Sequence, residues 1–212
     1  MERILCLAIG YLFGLFQTGY LYGKAHGIDI RQYGSGNSGT TNALRVLGKK
    51  AGLIVFAGDF LKTVIPCVAV RLYFGNSDMG HLLMLYTGLG VILGHNYPCY
   101  LHFKGGKGIA ATAGLLVASD LRITLVCLIA FVLIVALTRF VSLGSMVVVT
   151  IFLVMNICFA AMGEYGLTSA HMIEYDLVAA VITVMAVWRH RANIVRLIHG
   201  TENPLWGKDK KK

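Results

Sequence analysis

The chain has 212 residues, 57% of them hydrophobic and only 14% charged, with a mean hydropathy of +0.70. That leaves too little polar surface to coat a soluble globule, so the composition excludes a soluble domain and predicts a single all-α domain over 1–212, a polytopic integral membrane bundle. The formal charge of +9 comes from bases that cluster between apolar runs without interleaved aromatics, which points to membrane lipid and anionic substrates and away from nucleic acid.

Apolar runs cover 4–22, 51–74, 81–93, 109–118, 121–137, 141–162 and 177–188, giving about seven transmembrane helices. The first run is preceded by a single base, Arg3, and reads as a retained span, not a cleaved signal. A bilayer needs about 20 residues, so the third, fourth and seventh runs must borrow from their flanks or cross a thinned bilayer. Cys6, Cys67, Cys127 and Cys158 lie in apolar runs and behave as small hydrophobes. Cys99 lies in a polar segment without a motif to make it a nucleophile, and no disulfide framework or metal spacing follows from the five.

With the amino terminus outside, the inward segments are 24–50, 95–108, the turn at Arg139 and the tail from Arg189. They carry Lys24, Arg31, Arg45, Lys49, Lys50, Lys104, Lys107 and seven bases of the tail. The outward turns carry Asp78, Asp120, Glu164, Glu174 and Asp176, with Arg122 the main basic exception. The excess of bases places the carboxyl terminus and three polar, glycine- or base-rich segments on the cytoplasmic side together.

The first polar segment spans 34–42. Gly34, Gly36 and Gly39 permit positive φ, so successive amides there are expected to aim at one anion, with hydroxyls from Ser35, Ser38, Thr40 and Thr41. Asn42 is the expected N-cap of a short helix over 43–47, with Arg45 one turn in and Gly48 closing it. A flexible linker would not call for Asn, Thr and Arg at these positions.

The second segment runs from His95 to Gly108. Lys104-Gly105-Gly106-Lys107-Gly108 leads straight into an apolar helix, so a phosphate there is expected to meet glycine amides, a helix N-terminus and two ammonium groups. Gly108 stands where a Walker loop needs Ser or Thr, so a nucleotide is not implied. Membrane anchoring by lysines accounts for the charge but not for the glycines.

In the third segment, His190, Asn193 and Leu197 share one helical face, while Arg191 and Arg196 are expected to point elsewhere. A basic juxtamembrane helix on anionic lipid is the competing reading of this stretch alone. Asp59 and Lys62 lie inside the second span at i, i+3, either as a structural ion pair or as functional groups. His171-x4-Asp176 matches an acyltransferase pattern but faces outward, away from cytoplasmic acyl donors.

Together the segments resemble the bacterial acyl-phosphate:glycerol-3-phosphate acyltransferases over nearly the whole chain. Residues 34–45, Gly94-His95-Asn96-Tyr97-Pro98 with 103–110, and 190–194 with Gly200-Thr201-Glu202-Asn203 look like the three family motifs in order. Thr40, Thr63 and Ala111 depart from the residues that the family usually has. The resemblance implies that Ser35, Arg45, Lys107, His190 and Asn193 handle two phosphates and the glycerol, with Asn37, Asn42, His95, Lys104 and Glu202 in support. It further implies acyl phosphate and glycerol 3-phosphate as substrates, direct transfer without an acyl-enzyme, no metal or cofactor, no obligate protein partner, and a bacterial plasma membrane location. A small transporter of phosphorylated solutes is the alternative, although internal repeats are absent and the polar segments share one face.

Overall fold

The structure is a computed structural model that describes residues 1–75 and 77–206, so the four lysines of the expected basic tail at 208 and 210–212 lie outside the described residues. The chain forms α1 Glu2–Gly14, α2 Thr18–Ala25, α3 Thr40–Leu47, α4 Lys49–Phe74, α5 Asp78–Asn96, α6 Ile109–Ser119, α7 Leu121–Thr138, α8 Val141–Ala161, α9 Ser169–Arg189 and α10 Arg191–Ile198. Among the described residues, five segments are long and apolar enough to cross a membrane: Glu2–Ala25, Lys49–Phe74, Leu121–Thr138, Val141–Ala161 and Ser169–Arg189. The third run becomes the 19-residue α5 and the seventh the 21-residue α9 by taking in polar flanks, whereas the fourth stays at 11 residues in α6.

The first run is not continuous, because the helix breaks between Gly14 and Thr18. Carbonyls freed in a membrane need new donors, and Gln17 and Lys62 provide them. Gln17 Nε2 donates to the carbonyls of Gly14, Gly94 and His95 at 3.0–3.2 Å. Lys62 Nζ donates to the carbonyl of Phe16 at 2.6 Å and lies 3.3 Å from that of Gly14.

Small residues let α1 and α5 touch backbone to backbone. A Cβ on Gly10 would lie 2.1 Å from the Thr87 carbonyl oxygen, and one on Gly94 would lie 2.3 Å from that of Tyr11. This contact carries the end of α5, with His95 on it, against the break in the first run.

Charge is segregated along the bundle. At one end Arg3 pairs with Glu174, Arg122 with Asp120 and Glu164, and His171 with Asp78. The His171-x4-Asp176 pattern therefore lies at the end of α5 opposite His95, with its histidine held by Asp78.

Candidate active site

At the other end a cavity of 510 Å³ opens among α3, α4, α6, α7, α8 and the α9–α10 junction. Leu116, Val117, Phe131, Val148 and Val149 line its long apolar part. Phe56 and Leu128 line it too and are 39% and 56% exposed at the bundle surface, so the cavity has a side mouth between α4 and α7.

Ser35, Arg45, Lys107, His190, Asn193 and Glu202 form its polar end, each of the three polar segments contributing. Lys107 Nζ donates to Asn193 Oδ1. Asn193 Nδ2 donates to Glu202 Oε1 at 2.8 Å, and Glu202 also takes Ser142 Oγ at 3.1 Å and Arg196 Nε at 2.9 Å. Arg45 Nη2 donates to the carbonyl of Asn203 at 3.1 Å, tying α3 to the segment after α10.

Burial pushes the Lys107 ammonium down to about 8, aided by Arg196, Arg189 and Arg45 against the counter-pull of Glu202. Burial likewise lowers Arg45. His190 is pushed to about 4, chiefly by burial. Its Nδ1 lies 2.8 Å from the Ala186 carbonyl, which only accepts, so Nδ1 carries the proton and Nε2 is left as an acceptor. The polar end thus sets the cations Arg45, Lys107 and Arg196 beside the neutral imidazole of His190, an arrangement suited to anions next to an apolar channel.

The glycerol-3-phosphate acyltransferase family matches residues 4–200 of the chain. A glycerol-3-phosphate acyltransferase of Clostridioides difficile (strain 630) is 40% identical, covering 95% of each chain, and one of Thermoanaerobacter sp. (strain X514) is 38% identical, covering 97% of this chain and 96% of the relative. The chain belongs to the glycerol-3-phosphate acyltransferase family. It is also similar to crystal structures of PlsY (YgiH), an integral membrane glycerol 3-phosphate acyltransferase. The glycerol 3-phosphate form has a TM-score of 0.83 at 34% identity, covering 98% of this chain and 96% of that one. The lysophosphatidic acid form has a TM-score of 0.79 at 34% identity, covering 96% and 95%. This glycerol-3-phosphate acyltransferase family member is a multi-pass integral membrane enzyme.

Within this acyltransferase several expected roles change. Asn42 is not an N-cap: α3 begins at Thr40 with Gly39 as its cap, and Gly39 has φ −86°. Asn42 instead clamps the loop, its Nδ2 donating to the carbonyls of Ile30, Tyr33 and Asn37 and its Oδ1 accepting from the Ser35 amide at 2.8 Å. The amide nest does not form there, since the amides of Ser35, Gly36 and Gly39 are bonded to Asn42 Oδ1, the Tyr33 carbonyl and Asn37 Oδ1. Gly34 and Gly36 do take positive φ, at +59° and +72°, but only to turn the chain. Ser38 is buried with its hydroxyl toward Gln17 Oε1, outside the cavity lining.

The second loop is corrected in the same way. The amides of Gly105 and Gly106 donate to the carbonyls of Asn96 and His95, and their own carbonyls accept from Arg189. Lys104 is outside the lining, so one ammonium of the expected two, Lys107, faces the cavity. Gly108, at φ +79°, caps α6, and the start of that helix does line the cavity, as do Asn37, Gly39, Thr41, Asn42 and His95. Arg191 points away from the cavity as expected, its guanidinium over the Trp188 ring, but Arg196 turns into the cavity because Glu202 holds it there. Sequence reasoning passed over Ser142, and it gave Arg196 and Asp59 no place in this wall. Glu202, an acid nine residues after Asn193, was the available signal for Arg196, and a pair of opposite charges inside an apolar span for Asp59.

Proposed function

We propose that the enzyme transfers a fatty acyl group from acyl phosphate to the 1-hydroxyl of glycerol 3-phosphate, giving lysophosphatidic acid and phosphate in the first acylation step of phospholipid synthesis. The observation that carries this reading is the division of one cavity into a cationic end and an apolar arm with a side mouth. The substrate and product forms of the similar crystal structures support the same acceptor and product.

An acyl phosphate is a mixed anhydride with a good leaving group, so the acceptor hydroxyl attacks its carbonyl carbon directly. The new C–O ester bond forms, the C–O bond to phosphate breaks, and the hydroxyl proton ends on the departing phosphate. His190 Nε2 is free to accept that proton in passage, and a charged phosphate beside it raises its affinity for one. Arg45, Lys107 and the starts of α3 and α6 hold the two phosphates together and stabilise the charge that develops at the carbonyl. Ser35 adds a hydroxyl, and Glu202 with Asn193 keeps Lys107 and Arg196 aimed. The site then lies at the cytoplasmic face of the plasma membrane, in one domain over 1–212, with the amino terminus outside.

Incubation of the purified protein with palmitoyl phosphate and labelled glycerol 3-phosphate tests the reaction. Labelled lysophosphatidate and phosphate in equal amounts are expected; uptake of glycerol 3-phosphate into vesicles without product would support a transporter and reject this reading.

A further inference from the structure

Lys62 is 6% exposed inside α4, beside Asp59 at 1%. Its Nζ lies 2.6 Å from the Phe16 carbonyl, 2.9 Å from Asp59 Oδ1, 2.9 Å from His95 Nδ1 and 3.3 Å from the Gly14 carbonyl. An ammonium has three N–H groups and no lone pair, and the two carbonyls and the carboxylate only accept. The three shortest contacts take the three N–H groups, so His95 Nδ1 is an acceptor. A neutral imidazole that accepts at Nδ1 carries its hydrogen on Nε2.

That Nε2 edge is directed at the second glycine loop, for a Cβ added to Gly106 would lie 2.0 Å from it. His95 itself lines the cavity together with Lys107 and Gly108. Asp59 completes the set as counter-charge: Oδ1 accepts from Thr18 Oγ1 at 3.0 Å as well as from Lys62, while Oδ2 is buried without a hydrogen-bond partner among the described residues. Satisfying the break between α1 and α2 explains the N–H given to Phe16, with the Gly14 carbonyl a longer fourth contact, and the ion pair explains the N–H given to Asp59. Neither explains why the third N–H of Lys62 goes to a ring nitrogen in the cavity wall.

We propose that Asp59 and Lys62 are positioning residues that lock His95 in the Nε2–H form, so that His95 donates a hydrogen bond to a substrate phosphate oxygen on the 104–108 side of the cavity. This deepens the acyltransferase reading and rests on it for the oxygen that accepts.

A glutamine side chain puts its amide nitrogen near the place of Nε2, whereas an asparagine reaches only the place of Nδ1. Full-length His95→Asn and His95→Gln, purified and checked for thermal midpoint, are therefore compared with palmitoyl phosphate and glycerol 3-phosphate. The expected loss of kcat/KM is about 100-fold for His95→Asn and about 10-fold for His95→Gln, the scale of one oxyanion donor. Equal losses, or the better activity in His95→Asn, which still offers Lys62 an acceptor, overturn the proposal.

Ring-labelled histidine in the wild-type enzyme gives a reading independent of variant folding: 15N NMR is expected to find His95 Nδ1 without hydrogen. In the isosteric pair D59N/K62M that bias is expected to disappear. Hydrogen on Nδ1 in the wild type overturns the proposal. Absence of lysophosphatidate from the wild type would overturn the reaction itself, a result separable from a wrong ranking of the two variants.

Discussion

Two glycine loops that look alike as sequence are built in opposite ways. The loop over 34–42 exposes residues 34–36 and is held chiefly by one side chain, Asn42, which makes four hydrogen bonds, while Asn37 and Gln17 add one each. The loop over 104–108 is pressed against the end of α5, with Gly105 and Gly106 against the backbone and ring of His95 and Gly108 against Asn96 and Ile92. In neither do the glycines form an amide cradle. They provide shape, and the positive charge arrives separately on Arg45 and Lys107, so a glycine run next to bases signals close packing as readily as anion binding.

The comparison breaks first at its charges. Lys107→Ala is expected to lower kcat/KM by about 1,000-fold with the thermal midpoint in detergent little changed, because the side chain faces an open cavity. Near-normal turnover in that variant would remove Lys107 from the site. Asn42→Ala comes next: the loss of four bonds, some to buried carbonyls, is expected to cost about 2–4 kcal/mol, and activity should fall with it as Ser35 loses its support. If denaturation shows no change in stability, the clamp is not what holds the loop.

The glycines themselves sharpen the contrast. Gly106→Ala drives a methyl group into the His95 ring at 2.0 Å and is expected to cost about 2–3 kcal/mol. Gly36→Ala meets nothing nearer than 3.5 Å and is strained only by its φ of +72°, a cost of about 1 kcal/mol. Thermal midpoints in the reverse order would mean that the two loops are not built as described. The smallest effect is on pH dependence. Lys107 in the free enzyme is lowered to about 8, so its cationic form is present below that value and lost above it. A one-proton fall in kcat/KM above about pH 8 is expected, displaced upward in Lys107→Arg.

Much of this arrangement was legible beforehand, and the omissions share a cause. Apolar length located α4, α7 and α8, and polar interruptions located the three segments that meet at the cavity. Hydropathy could not show the break at 15–17, because its freed carbonyls are satisfied by Lys62 from across the bundle and by Gln17 within the break itself. Helical periodicity sent Arg196 away from His190, but the ion pair with Glu202 overrides it. Spacing identified the glycines correctly and assigned their amides wrongly, since partners such as Asn42 Oδ1 and the His95 carbonyl are set by tertiary contact.

The side mouth between Phe56 and Leu128 has a kinetic corollary for the proposed reaction. A donor arriving through it is drawn from a two-dimensional pool, and a single-chain phospholipid leaving by it never meets the aqueous phase. Turnover should then saturate with the mole fraction of donor in the leaflet rather than with its bulk concentration, and dilution by inert lipid should act as a competitor does.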